Sequence, residues 1–76
     1  MTADHRFSVI LEPQKEGGYT VLVPALPEVI SEGDTEGAAI ASVEEAIRLA
    51  LAYRNENGIS IPDDSSAQLR QVTVTA

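Results

Sequence analysis

A chain of 76 residues with 12 acids, 5 bases, no cysteine and a single histidine has room for one domain, and it excludes disulfides and thiolate metal sites. Its formal net charge of −7 repels a phosphate backbone, so direct nucleic-acid binding is not expected, whereas a basic protein would be attracted and steered. A domain this small buries only about 60% of its unfolded surface, and self-association is the remaining route to added stability.

Residues 7–11 alternate Phe7, Val9 and Leu11 onto one face and predict a strand. A polar stretch with Pro13 leads to Gly17 and Gly18, which supply the positive φ of a turn. Residues 19–23 repeat the alternation, so the two runs predict a β-hairpin. Pro24 and Pro27 each remove a ladder donor and interrupt the sheet, after which residues 28–31 suit a short third strand at an edge.

Gly33, Asp34 and Thr35 then predict a turn and a helix start, with Asp34 or Thr35 as N-cap and Glu36 complementing the helix dipole. From Glu36 to about Asn57 the apolar period becomes helical, with Ala39, Ile40, Val43, Ala46, Ile47, Ala50, Leu51 and Tyr53 on one broad face. Asn57 and Gly58 stop the helix. Residues 69–75, with Val72 and Val74 alternating, predict a fourth strand lying parallel beside the first. The expectation is a single α+β domain over residues 1–76, in the order β-β-β-α-β, with the helix on one face of a mostly antiparallel sheet.

One helix covers one sheet face, and Ile10 and Leu22 point to the other. These two residues, with Leu49 at the rim of the helix face, are the expected contacts of a homo-oligomer, a dimer or tetramer. Catalytic chemistry finds no footing. His5 lies near the terminus with no cysteine to activate and no acid that can be placed beside it from sequence. The glycines form no phosphate-binding motif, and Asp63 with Asp64 lacks the alternating ligands of a calcium loop. No catalytic residue, metal or cofactor is therefore expected. The acids do cluster: no Lys or Arg falls between Lys15 and Arg48. Glu28, Glu32, Glu44 and Glu45 are the candidates for a surface that meets a basic protein, set against the plainer reading of a solvated face. No run is long and apolar enough to span a membrane or form a signal-peptide core, so a cytoplasmic location is expected.

The stretch from Phe7 to Pro62 resembles the HicB antitoxin family, also seen as stand-alone HicB-like domains. The resemblance is carried by Gly17-Gly18-Tyr19, Pro24-Ala25-Leu26-Pro27, Gly33-Asp34-Thr35, Glu45-Ala46-Ile47, and Gly58 with Ile61-Pro62. The chain departs from the family pattern at Glu28-Val29, where Gly-Cys is usual, and at Ala38, where an acid usually completes a capping box. The resemblance implies a partial RNase H-like fold without its catalysis, since residues 7–11 hold none of the carboxylates a two-metal nuclease needs. It also implies a function, binding and masking a small mRNA-cleaving HicA-type toxin. The alternative is a stand-alone homo-oligomeric domain of the same fold with no toxin partner. The added DNA-binding segment of longer HicB proteins has no counterpart after the fourth strand here, so DNA binding by this chain is not expected.

Overall fold

The structure, a computed structural model, describes residues 4–76. Three strands, β1 (Ile10–Pro13), β2 (Tyr19–Leu22) and β3 (Ile30–Gly33), precede one helix, α1 (Glu36–Glu56). The strands form an antiparallel sheet in the order β1-β2-β3. The expected α+β arrangement, a helix on one face of an antiparallel sheet, is the one observed.

Glycine makes the β1–β2 turn possible. Gly17 and Gly18 both adopt positive φ, at 99° and 81°, and the turn closes through Gly17 N to Gln14 O and Gln14 N to Gly18 O, each 3.0 Å. Between β2 and β3, the Leu26 amide donates to Val23 O and the Val29 amide to Leu26 O, both at 2.9 Å. These consecutive turns satisfy the backbone around Pro24 and Pro27 and direct Leu26 and Val29 into the core. Leu26 and Val21 are fully buried, joined by Val23, Val29, Ala39 and Val43. Each such side chain of Val or Leu size contributes about 1.5–3 kcal/mol on burial.

Register decides which sheet face meets the helix. Leu11, Val21 and Ser31 form one cross-strand row. Val21 is buried and the Ser31 hydroxyl lies 2.5 Å from that of Ser42 in α1, so this row faces the helix. The approach at Gly33 leaves no room for a side chain, since an added Cβ would stand 2.3 Å from Ala39 N. Thr35 caps the helix, its Oγ1 accepting from Ala38 N at 3.1 Å. At the other end Gly58 takes positive φ and Ile59 N donates to Arg54 O at 2.8 Å, which ends the helix.

Several expectations differ from what is seen: β1 and β3 start three and two residues later than the patterns 7–11 and 28–31 suggest, and Ile40 on the helix is 39% exposed. Tyr53, assigned to the buried helix face, is 61% exposed. At 100° per residue it sits about 80° from Val43, at the margin of a stripe that Ala46, Ile47, Ala50 and Leu51 already fill. Residues 69–75, expected as a fourth strand, form no ladder: Leu69, Val72 and Val74 are 84%, 83% and 79% exposed. The chain does return to the start of the sheet, where Asp64 accepts from Ser8 N (2.9 Å) and Ser8 Oγ (2.7 Å). Residues 67–69 then line a cleft with residues 8–11. β1 itself is only four residues long and ends at Pro13, a short edge for a seven-residue segment.

Candidate functional site

The sheet face away from α1 carries two rows. The Ile10–Leu22–Ile30 row is apolar, and the adjacent Glu12–Thr20–Glu32 row places two carboxylates either side of a threonine. Period-two geometry puts all six side chains on this one face. Ile10 and Leu22 therefore lie where the sequence places them, on the uncovered side. Ile30 completes their row and is 64% exposed. It was not among the sequence candidates because its strand runs two residues later than the pattern 28–31 suggests, and register with Leu22 became visible only with the pairing. Leu49 is also 64% exposed but lies on α1, away from this row.

The four candidate acids fall in three places. Glu32 is on the open sheet face beside Thr20, and among the described residues no Lys or Arg pairs with it or with Glu12. Glu44 and Glu45 are on the exposed side of α1, where both hold Arg48, at 3.0 and 2.7 Å. Such exposed helical pairs are worth only a few tenths of a kcal/mol each, but they leave the trio with one net negative charge. Glu28 sits in the β2–β3 connection and accepts from Arg54 Nη2 at 2.8 Å and Nε at 3.2 Å. The Arg54 guanidinium beside Glu28 holds its carboxyl below the usual carboxylate range. The third arm of the same guanidinium donates to Ser60 O at 3.0 Å, so Arg54 ties the β2–β3 connection to the chain after α1. The structure thus brings Glu32 together with Glu12, and it separates Glu32 from Glu28 and from the Glu44–Glu45 pair.

The remaining polar features read as structural. The Asp64 carboxyl is held low by the Ser8 amide and hydroxyl that it accepts from. His5 stacks on Phe7 with ring centroids 6.4 Å apart, over a cleft bordered by Ile40, Glu44 and Ile47. A groove of about 440 Å³ runs between the Gly17–Gly18 turn and the start of α1, lined by Tyr19, Thr20, Glu32 and Asp34 among others. Among the described residues no three His, Asp or Glu side chains converge as a metal-binding group would require. Among the described residues no helix is long and apolar enough to cross a membrane.

Comparison with known proteins places this geometry in a family. Residues 7–74 match the family described as the HicB_like antitoxin of bacterial toxin-antitoxin systems. The chain is 39% identical over 57 residues to Antitoxin HicB 1 of Photorhabdus laumondii, covering 75% of this chain and 37% of that protein. It is 33% identical over 57 residues to Antitoxin HicB of Escherichia coli K12, covering 75% and 41%. The chain thus spans about two fifths of the length of these two antitoxins. The UPF0150 protein Ta0767 of Thermoplasma acidophilum is 31% identical over 64 residues, covering 84% of this chain and 93% of that protein. The chain is a member of the HicB_like antitoxin family of bacterial toxin-antitoxin systems.

Proposed function

We propose that this chain is a non-catalytic protein-binding domain that masks a small, basic, mRNA-cleaving toxin of the HicA type. The observation that carries the reading is the family match across residues 7–74, which takes in every strand and the helix. The charge of −7 supports it, because an RNA-cleaving protein is basic where it meets phosphate and is drawn to an acidic partner. On the toxin-facing surface we place Glu32, with Glu12 beside it, neither of which pairs with a Lys or Arg among the described residues; Glu44 and Glu45 contribute one net charge through Arg48. Glu28 is a positioning residue through Arg54. Ile10 and Leu22, continued by Ile30, and Leu49 on α1 are the proposed apolar contacts between copies. The domain spans residues 1–76 and works in the cytoplasm, the compartment of the mRNA that such a toxin cuts.

A titration of a purified HicA-type toxin with this protein tests the reading. RNA cleavage should fall to zero near stoichiometric addition. Glu32→Lys should slow association and flatten its salt dependence. Cleavage undiminished by a molar excess of the folded protein overturns the toxin-masking role. A second reading, a stand-alone homo-oligomeric domain without a toxin, is favoured by the alignment to the Thermoplasma protein over 93% of that protein's length. Stable self-association with no effect on the toxin's cleavage is the result that selects it.

A further inference from the structure

The helix ends on the dipeptide Asn57-Gly58, and both residues are exposed. The chain has two asparagines, and Asn57 is the one followed by glycine. Asn57 lies past the last helical residue with φ −104° and ψ 9°, and Gly58 takes a φ of 66°. We propose that Asn57-Gly58 is a self-modification site: the Gly58 nitrogen closes on the Asn57 side chain, and the resulting isoaspartyl or aspartyl link unfastens the chain that follows α1.

The chemistry needs only water and base. Hydroxide takes the proton from the Gly58 amide, and the nitrogen attacks Asn57 Cγ to form a five-membered ring. The Cγ–Nδ2 bond breaks, and Nδ2 leaves as ammonia with a proton from solvent. Water then opens the succinimide on one of two sides. Breaking the new bond between Cγ and the Gly58 nitrogen gives aspartate. Breaking the original bond from the backbone carbonyl gives isoaspartate, with the main chain routed through the side chain. No atom is oxidised or reduced. A neutral amide becomes a carboxylate, so one charge is added to the formal −7.

Local structure selects Asn57 over Asn55. The Gly58 amide is loosely held, since its bond to Asn55 O is 3.4 Å, beyond the usual range of about 2.7–3.2 Å. Residue 58 has no side chain to crowd the attacking nitrogen, and nucleophile and target are neighbours in one chain. Asn55 is followed instead by Glu56, which carries a side chain and still belongs to α1. The cap sets the pace. Asn57 Nδ2 donates to Tyr53 O at 2.8 Å, so the leaving nitrogen is held on the helix until that end frays.

The neighbours show what the site controls. Ile59 N donates to Arg54 O at 2.8 Å and Arg54 Nη1 to Ser60 O at 3.0 Å, fastening the chain after α1 to the helix. Through Glu28 the same arginine carries that fastening to the β2–β3 connection. An isoaspartyl link inserts an extra backbone carbon between residues 57 and 58, which draws Ile59 N off Arg54 O. Either product also loses the donor to Tyr53 O and sets a carboxylate against the carbonyl end of the helix, where the dipole opposes it.

Peptide mapping of aged, folded protein is the test. Trypsin cuts after Arg54 and Arg70 and releases residues 55–70, a peptide that contains both asparagines. Mass spectrometry should find conversion at Asn57 and not at Asn55, faster at mildly alkaline than at neutral pH, and faster again in urea, where the cap is gone. Asn57→Gln, which leaves the backbone intact, should stop it. The isoaspartyl form, separated by ion exchange, should lose hydrogen-exchange protection at the Ile59 amide and melt about 4–8 °C lower, the shift of roughly one lost contact in a domain this size. Asn57→Asp carries the charge without the rerouted chain, so it should melt lower and keep Ile59 protected. Conversion no faster at Asn57 than at Asn55 overturns the site. An isoaspartyl form with Ile59 still protected and its melting temperature unchanged overturns the unfastening. Toxin cleavage enters none of these readouts, so they stand or fall apart from the toxin-masking role.

Discussion

Two glycines four residues apart should respond in opposite directions to the same substitution. At Gly33 an added Cβ meets backbone: Ala39 N at 2.3 Å, Ala38 C and Ala39 Cα at 2.7 Å. Ordinary contact begins near 3.4 Å, so the first turn of α1 would have to retreat by about 1 Å from β3. That turn carries the fully buried Ala39 and, one turn on, the Ser31–Ser42 hydroxyl contact, so relief of the clash opens the core there. Backbone cannot rotate away as a side-chain end can, which puts the cost of Gly33→Ala at the top of the range for overpacking, about 3 kcal/mol. At Gly37, in the first turn of α1, an added Cβ meets nothing within 4 Å. Gly37→Ala therefore gains only the helix-propensity difference and should stabilise by about 0.5–1 kcal/mol. A protein of this size is stable by roughly 4–11 kcal/mol, so the first change removes a large part of the total and lowers the melting temperature by about 12–24 °C. The assay is urea unfolding followed by circular dichroism at 222 nm, at one fixed protein concentration because association would otherwise shift the midpoint. A Gly33→Ala protein within 0.5 kcal/mol of the parent, by about the error of such measurements, would refute the close helix–sheet approach. Destabilisation by Gly37→Ala would refute the open environment at the helix start.

Three further expectations follow from the packing and the caps. Leu26→Ala empties the site of a fully buried side chain and should cost about 2–5 kcal/mol in the same unfolding assay, with the slope reporting whether cooperativity survives. Thr35→Ala removes the hydroxyl that accepts from Ala38 N and should cost about 1 kcal/mol, while Thr35→Ser should be nearly neutral. Asp64 has a carboxyl held low in the folded state by Ser8, so its contribution is present above the unfolded pKa and is lost as pH falls through the folded one. The stability gap between the parent and Asp64→Asn should accordingly be seen at neutral pH and close below about pH 4, and a gap unchanged at pH 3 would argue against the Ser8 contact.

The local chemistry of this fold is legible in its sequence wherever one residue type has one use. Gly17 and Gly18 announce the turn, Asp34-Thr35 the helix start (the structure selects Thr35 as its cap), and the change from period two to period 3.6 near Glu36 the switch from sheet to helix. What depends on distant partners is not legible. Period two says that Ile10 and Leu22 share a face with each other, but only strand pairing adds Ile30 to their row. Charge counting groups Glu28, Glu44 and Glu45 with Glu32, although Arg54 and Arg48 lie against the first three and, among the described residues, no Lys or Arg lies against the fourth. Those bases are 26 residues from Glu28 in one case and a helical turn from Glu44 and Glu45 in the other, so the first pairing required the fold and the second only the helix spacing. The fourth strand is the instructive difference. Alternation in residues 69–75 is a property of the segment, whereas a ladder is a property of the segment and an edge long enough to receive it, and β1 stops at Pro13.

The Asp64–Ser8 contact has a bearing on engineering. It fixes the point at which the C-terminal segment leaves the body, so anything fused after Ala76 is leashed by about twelve residues to Ser8, just ahead of β1. Extended, such a leash reaches about 40 Å, enough to circle half of a domain this size but not to roam free of it. A reporter, degradation tag or second binding module attached there would be held at millimolar effective concentration near the open sheet face. Cutting the contact with Asp64→Ala would lengthen the leash by several residues and dilute whatever it carries.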